Sequence, residues 1–166
     1  MKKIILLAVF ILLVNGLFAN SRFQLSNISM KDGLSNLNPS AITQDQSGYI
    51  WVATMRGLNR FNGNEFKQYY YNPNDTNSLN SNHLNAMLSA GKNLLYIAST
   101  NGLNSYNEKL DIFENPFPSL KNTTVISLAE HNGFIYLGTA NSIFRFKSGE
   151  KKLLEKTQNY HVFSLR

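Results

Sequence analysis

The stretch that decides the fold is SGYIWVATMRGLNRFNG, residues 47–63, because the chain repeats its pattern twice more. The related stretches are KNLLYIASTNGLNSYNE, residues 92–108, and NGFIYLGTANSIFRFKSG, residues 132–149. Their aromatic anchors are Trp51, Tyr96 and Tyr136, which stand 45 and 40 residues apart. A period of about 40 to 45 residues made of several short strands is typical of β-propeller blades.

Each anchor is followed at fixed distances by residues of matching type. A small hydroxyl residue lies three positions on, as Thr54, Ser99 or Thr139, and a glycine lies six positions on in the first two units, as Gly57 or Gly102. Blade interfaces need large flat side chains. We therefore expect the three anchors to pack in the core rather than to stack on a ligand.

The first unit divides into four predicted strands, at residues 40–44, 49–54, 58–61 and 65–70. Asp45 and Gly48 open and close the first turn, because Asp caps backbone N–H groups and Gly accepts positive φ. Asn62-Gly63 is a strong hairpin signal. The sequence predicts an all-β partial propeller of about three four-stranded antiparallel blades plus the start of a fourth. The predicted blades are residues 36–71, 82–115 and 122–157, with 160–166 as the start of the next.

The first nineteen residues have the order of features of a secretory signal peptide. Lys2 and Lys3 precede an apolar run from Ile4 to Val14, and Ala19 offers a cleavage point. An uncleaved membrane anchor is the alternative, but the run is short for a span of about 20 residues. The sequence predicts a leader at 1–19, an exported domain at 20–166 and no other membrane contact. Because the chain has no cysteine, a bacterial periplasm is the expected compartment.

Composition and charge argue against several function classes. The chain is 43% hydrophobic and 16% charged, and its basic residues are scattered, so we expect no nucleic-acid partner. His83, His131 and His161 do not have metal-ligand spacing. The acidic residues offer no evident catalytic pair. We expect no metal, no cofactor and no enzymatic activity in this chain.

The first unit resembles the two-component regulator propeller repeat. The residues that carry the resemblance are KDGLSNLNPSAITQDQSGYIWVATMRGLNRFNGNEFKQY, residues 31–69, with a Gly-Leu-Ser start, a Gln-Asp turn and a Trp strand ending in Thr. The resemblance is weaker in the third unit, where Ser142 replaces the glycine. It implies a periplasmic sensor region of a hybrid histidine kinase that detects glycan fragments. It also implies further blades, and a kinase, in a longer parent chain.

The candidate ligand-binding residues lie mainly in the turn between the second and third strand of each unit. These turns supply Arg56, Asn101 and Asn141, while Tyr70 and Tyr71 belong to a connection at the same rim. Arginine can bind a carboxylate or sulfate bidentately, and asparagine can bind sugar hydroxyls. Solvated turn residues are the alternative interpretation of each.

Three functions remain open from the sequence. The first is a ligand-binding sensor for glycan-derived oligosaccharides or another small ligand. The second is an exported propeller enzyme that acts on polysaccharide. The third is a non-catalytic truncated remnant or scaffold without a ligand.

Overall fold

The computed structural model describes residues 27–91 and 94–158. The predicted leader at 1–19 and the predicted start of another blade at 160–166 lie outside the described residues. Within them the fold is all-β, apart from two short 3-10 helices at Met30–Asp32 and Pro118–Leu120. None of the described helices is long and apolar enough to cross a membrane.

Twelve strands of the described chain form three antiparallel sheets of four strands each. The first sheet holds β1 (Pro39–Gln44), β2 (Ile50–Thr54), β3 (Gly57–Phe61) and β4 (Phe66–Tyr69). The second holds β5 (Leu84–Ala90), β6 (Leu94–Ser99), β7 (Gly102–Asn107) and β8 (Ile112–Glu114). The third holds β9 (Val125–His131), β10 (Phe134–Thr139), β11 (Ser142–Lys147) and β12 (Glu155–Gln158). The predicted all-β architecture of three four-stranded antiparallel blades is confirmed.

The order of strands within each sheet follows the chain, so the first strand of each sheet lies at one edge and the fourth at the other. The first strands are neighbours: β5 contacts β1 on one side and β9 on the other. The sheets therefore fan out from a shared inner edge, as propeller blades do. Trp51, Tyr96 and Tyr136 lie in β2, β6 and β10, which are equivalent strands.

The two hydrophobic clusters each lie between adjacent sheets. Trp51 and Ala53 of the first sheet pack with Leu95 and Ile97 of the second. Side chains alternate along a strand, so Tyr96 and Ala98 point the opposite way and pack with Ile135 and Leu137 of the third sheet. The second strand of the middle sheet, β6, thus contributes one row of side chains to each of two interfaces. This explains why its sequence is continuously apolar rather than alternating.

Tyr136 differs from the other two anchors in its surroundings. Trp51 and Tyr96 are fully buried, whereas Tyr136 is half-buried. Its neighbours Ile135 and Leu137 face the second sheet. Tyr136 therefore lies on the other face of the third sheet, which no described sheet covers.

A buried leucine packs the segment before each sheet against the core. Leu34, Leu79 and Leu120 each lie five positions before the first strand of their sheet, and all three are buried. Side-chain amides hold two of these segments as well. Asn59 accepts from the backbone N–H of Ser35 at 2.7 Å, and Asn104 accepts from that of Asn80 at 2.8 Å. The same contact recurs at the same spacing, so the segment is part of the repeat.

Candidate functional site

The turns between second and third strands share one rim with the connections between sheets. In an up-and-down antiparallel sheet every second turn lies at the same end. The β2–β3, β6–β7 and β10–β11 turns therefore lie beside the β4–β5 and β8–β9 connections. We call this end of the sheets the ligand rim, because it contains all five residues that the sequence singled out.

A buried hydroxyl shapes each turn of the ligand rim. Thr54 Oγ1 donates to the carbonyl of Gly57 at 2.8 Å and accepts from the N–H of Arg56 at 3.1 Å. Ser99 makes the matching pair of bonds in the second sheet. Thr139 bonds both backbone groups of Ser142 in the third. The hydroxyl satisfies polar backbone groups that a tight turn leaves unpaired in the interior.

Gly57 lets the Tyr70 ring pack directly against the β2–β3 turn. Its φ is +123°, and an added Cβ would lie 2.8 Å from the Tyr70 ring. The Gly57 N–H donates to the carbonyl of Asn82 at 2.8 Å, and the side chain of Asn82 accepts from the N–H of Tyr71 at 2.7 Å. The structure thus brings the turn that bears Arg56 together with the connection that bears the two tyrosines.

Four side chains of the ligand rim are exposed to solvent. Tyr70 and Tyr71 are 45% and 46% exposed, and Met55 beside them is 48% exposed. Arg56 is exposed too, and within the described chain its guanidinium has no hydrogen bond or ion pair. Exposed aromatic rings can stack on the apolar face of a sugar, and a nearby cation can bind its polar edge.

Asn101 has a different role from the other candidates. Its amide N–H donates to the carbonyl of Asn80 at 3.0 Å, and its oxygen accepts from the backbone N–H of Asn122 at 2.7 Å. The side chain thereby ties together the connections on both sides of the second sheet. Asn141 occupies the equivalent turn of the third sheet and is exposed. It lies one blade further from the tyrosines than Asn101 does.

A second polar cluster links the outer parts of the first two sheets. Asp111, in the β7–β8 turn, accepts from the hydroxyls of Tyr69 and Tyr106 at 2.6 Å each and from Lys67. Arg60 donates to the Tyr106 hydroxyl at 2.7 Å. Asp111 itself belongs to a turn between third and fourth strands, at the end of the sheets opposite the ligand rim. Its groups satisfy one another, so it joins sheets rather than presenting open ligand contacts.

The pKa values of this cluster reflect its partners. Burial raises the pKa of Asp111, but the bonds from Lys67, Tyr106 and Tyr69 outweigh that effect and bring it to about 2. Burial, with the bond to Asp111, raises the pKa of Tyr106 to about 12 and raises that of Tyr69 as well. All three groups therefore keep their ordinary charge at neutral pH.

Asp45 and Trp51 form a further bond across the first turn of the first sheet. The Asp45 carboxylate accepts from the indole Nε1–H of Trp51 at 2.6 Å and from the N–H of Tyr49 at 2.9 Å. Gly48 has a φ of +88° in that turn. The described residues contain no group of three or more His, Cys, Asp or Glu side chains that could hold a metal ion.

The sequence interpretation did not identify the buried leucines or the roles of Asn59 and Asn104. The connections have no strand or helix periodicity, so no local pattern points to them. The available signal was the constant spacing of five residues from Leu34, Leu79 and Leu120 to the following strand. The Asp111 cluster was missed because its partners come from separate units.

Comparison with known proteins identifies the repeat. Residues 33–56 match the family model described as two component regulator propeller. The match lies within the first of the three sequence units. Histidine kinase P4 from Formosa agariphila is 43% identical to this chain over 60 residues, which make up 36% of the chain and 4% of that kinase.

Two solved structures from B. thetaiotaomicron are similar to this chain. One is the extracellular domain of a protein assigned as a hybrid two component system, with 27% identity and a TM-score of 0.66. The match covers 82% of this chain and 20% of that domain. A second such domain, at 20% identity, covers 75% and 17% with a TM-score of 0.62, and it supports the fold alone. The chain spans a small part of each of these three relatives.

Proposed function

We propose that this chain is part of a periplasmic sensor propeller of a two-component system, and that its ligand is an oligosaccharide. The observation that carries the proposal is the likeness to the extracellular domain of a hybrid two component system over 82% of the chain at 27% identity. The family match of residues 33–56 supports the same class. A kinase belongs to the longer parent that this class implies.

The chemistry of the ligand rim supports a carbohydrate ligand. Tyr70 and Tyr71 offer exposed rings, on which the C–H groups of a sugar can stack. Arg56, one turn away, adds a cation that can bind hydroxyls or an acidic substituent. Asn141 adds an exposed amide in the β10–β11 turn, two sheets away from the turn that bears Arg56.

Asn101 can couple neighbouring sheets at the ligand rim. Its side chain bonds the connections on both sides of the second sheet, through Asn80 and Asn122. A ligand that displaces one connection would therefore strain the other. In this proposal Asn101 couples the blades, while the tyrosines and Arg56 make the direct contacts.

The test is titration calorimetry of the full chain against a panel of neutral, uronic-acid and sulfated oligosaccharides. We expect one class to bind, and Tyr70→Ala, Tyr71→Ala or Arg56→Ala each to weaken binding by about 10-fold. Leu110→Ala is the matched control, because Leu110 is 64% exposed in a turn near the opposite rim. Absence of binding across the panel, or binding that the three ligand-rim variants leave unchanged, would contradict the proposal.

A further inference from the structure

The β2–β3 turn departs from the repeat at the position of Arg56. Arg56 and Asn101 each stand five residues after the aromatic anchor of their unit. Asn101 donates to the carbonyl of Asn80 and accepts from the N–H of Asn122, so it joins two connections. A guanidinium has donors but no acceptor. Arg56 therefore cannot accept from the N–H of a connection as Asn101 does.

Asn82 anchors the β2–β3 turn without using the Arg56 side chain. Its carbonyl accepts from the N–H of Gly57 at 2.8 Å, and its side chain accepts from the N–H of Tyr71 at 2.7 Å. The turn is thus bound to the following connection through its backbone. Within residues 27–91 and 94–158 the Arg56 guanidinium makes no hydrogen bond or ion pair, so the fold itself does not use it.

The acidic residues leave the charge of Arg56 unpaired. Two of them, Asp32 and Asp75, belong to segments at the ligand rim. Asp32 completes the capping box of the first 3-10 helix, and Asp75 accepts from the N–H of Asn77 at 2.9 Å. The other acidic residues lie in strands or in turns at the opposite end of the sheets. Lys121, exposed in the β8–β9 connection, adds a further cation to the rim.

We propose that the ligand of this rim is an anionic oligosaccharide, and that Arg56 binds its carboxylate or sulfate group. The inference rests on the proposed function and names the ligand class of the same site. A guanidinium presents two parallel N–H groups to such an anion, and these bonds are stronger than those to a neutral hydroxyl. Tyr70 and Tyr71 can stack on a sugar ring whether or not it is charged. Arg56 therefore determines the selectivity for an anion, and the tyrosines contribute affinity for the sugar.

The test compares oligosaccharides that differ only in charge. Each uronic-acid oligosaccharide of the panel, such as an oligogalacturonide, is paired with its methyl ester. Each sulfated one, such as a sulfated dextran oligosaccharide, is paired with its desulfated form. Titration calorimetry of the full chain should give the charged member of at least one pair a dissociation constant about 10-fold or more below that of its neutral partner. The pair that shows this preference distinguishes a carboxylate from a sulfate.

Variants assign the preference to Arg56. Arg56→Gln should abolish it, so that both members of the pair bind with about the affinity of the neutral one. Lys109→Gln is the matched control, because it removes the same charge from an exposed residue of the β7–β8 turn at the opposite end of the sheets. It should leave the preference unchanged. Tyr71→Ala should weaken both members by a similar factor, and circular dichroism checks that each variant is folded.

The outcomes separate this inference from the proposed function. Equal affinity of the wild type for charged and neutral members would overturn the anionic ligand and leave the oligosaccharide sensor standing. A preference that survives in Arg56→Gln would do the same. So would a preference that Lys109→Gln abolishes as well, since the net charge of the chain would then select the ligand. Binding of no oligosaccharide in the panel would overturn the proposed function, and this inference with it.

Discussion

Replacing Trp51 by alanine should remove a large part of the stability of the first blade interface. Trp51 is 0% exposed, and its ring centre lies 4.8 Å from that of Tyr106 in the second sheet and 5.7 Å from that of Tyr69. Buried Trp→Ala substitutions cost about 3–5 kcal/mol. We expect about 4 kcal/mol here, since the substitution also removes the indole donor from Asp45. Domains are stable by about 5–15 kcal/mol in total.

The assay is urea denaturation followed by far-ultraviolet circular dichroism, because Trp51 is the single tryptophan and its fluorescence is lost with it. Tyr96→Ala tests the equivalent buried position and should cost about as much. Tyr71→Ala is the control at an exposed aromatic residue and should cost less than about 0.5 kcal/mol. A Trp51→Ala loss no larger than that of Tyr71→Ala would refute the assignment of Trp51 to a packed interface between sheets.

Three further predictions concern the turns, the polar cluster and the connections. Gly57→Ala should destabilise the fold by about 1–3 kcal/mol, because the φ of Gly57 is +123° and an added Cβ would meet the Tyr70 ring at 2.8 Å. The measurement is the midpoint of thermal unfolding, which should fall; an unchanged midpoint would contradict this prediction. The pKa of Asp111 falls from 3.8 to about 2 on folding, so its contribution to stability is complete above about pH 4 and is lost as pH falls to about 2. Asp111→Asn should flatten the curve of unfolding free energy against pH between about pH 4 and 2. A curve identical to that of the wild type would contradict a stabilising role for the Asp111 cluster. Asn104→Ala leaves the backbone N–H of Asn80 unpaired, so it should lower the free energy of unfolding by about 1–2 kcal/mol in a urea titration. Hydrogen exchange at the Asn80 amide should become faster, and an unchanged exchange rate would contradict the prediction.

The repeat made the sheets predictable because burial between blades constrains side-chain type at fixed intervals. Trp51, Tyr96 and Tyr136 indicated equivalent strands, and the structure has them in β2, β6 and β10. Glycine at positions 57 and 102 indicated the tight turns, and both have positive φ. These features are local, so the sequence shows them directly.

The parts that could not be predicted depend on contacts between distant segments. Asn101 and Arg56 occupy equivalent turns, yet the amide of Asn101 is engaged by two connections while Arg56 is exposed. Nothing local distinguishes a polar turn residue that faces solvent from one that faces a neighbouring loop. The meeting of Tyr69, Tyr106 and Asp111 likewise depends on how two sheets stack, which a repeat pattern does not specify.

The stacking of the first sheet on the second is the central claim, and nuclear Overhauser contacts from the single indole test it most directly. The Trp51 Nε1–H donates to Asp45 at 2.6 Å, so its proton resonance should be well resolved and protected from exchange. In a sample with labelled tyrosine, the indole ring should show cross-peaks to the ring of Tyr106, whose centre is 4.8 Å away in the other sheet. Tyr106→Leu would identify the peak by removing it. Indole cross-peaks confined to residues of the first sheet would contradict the stacked blades.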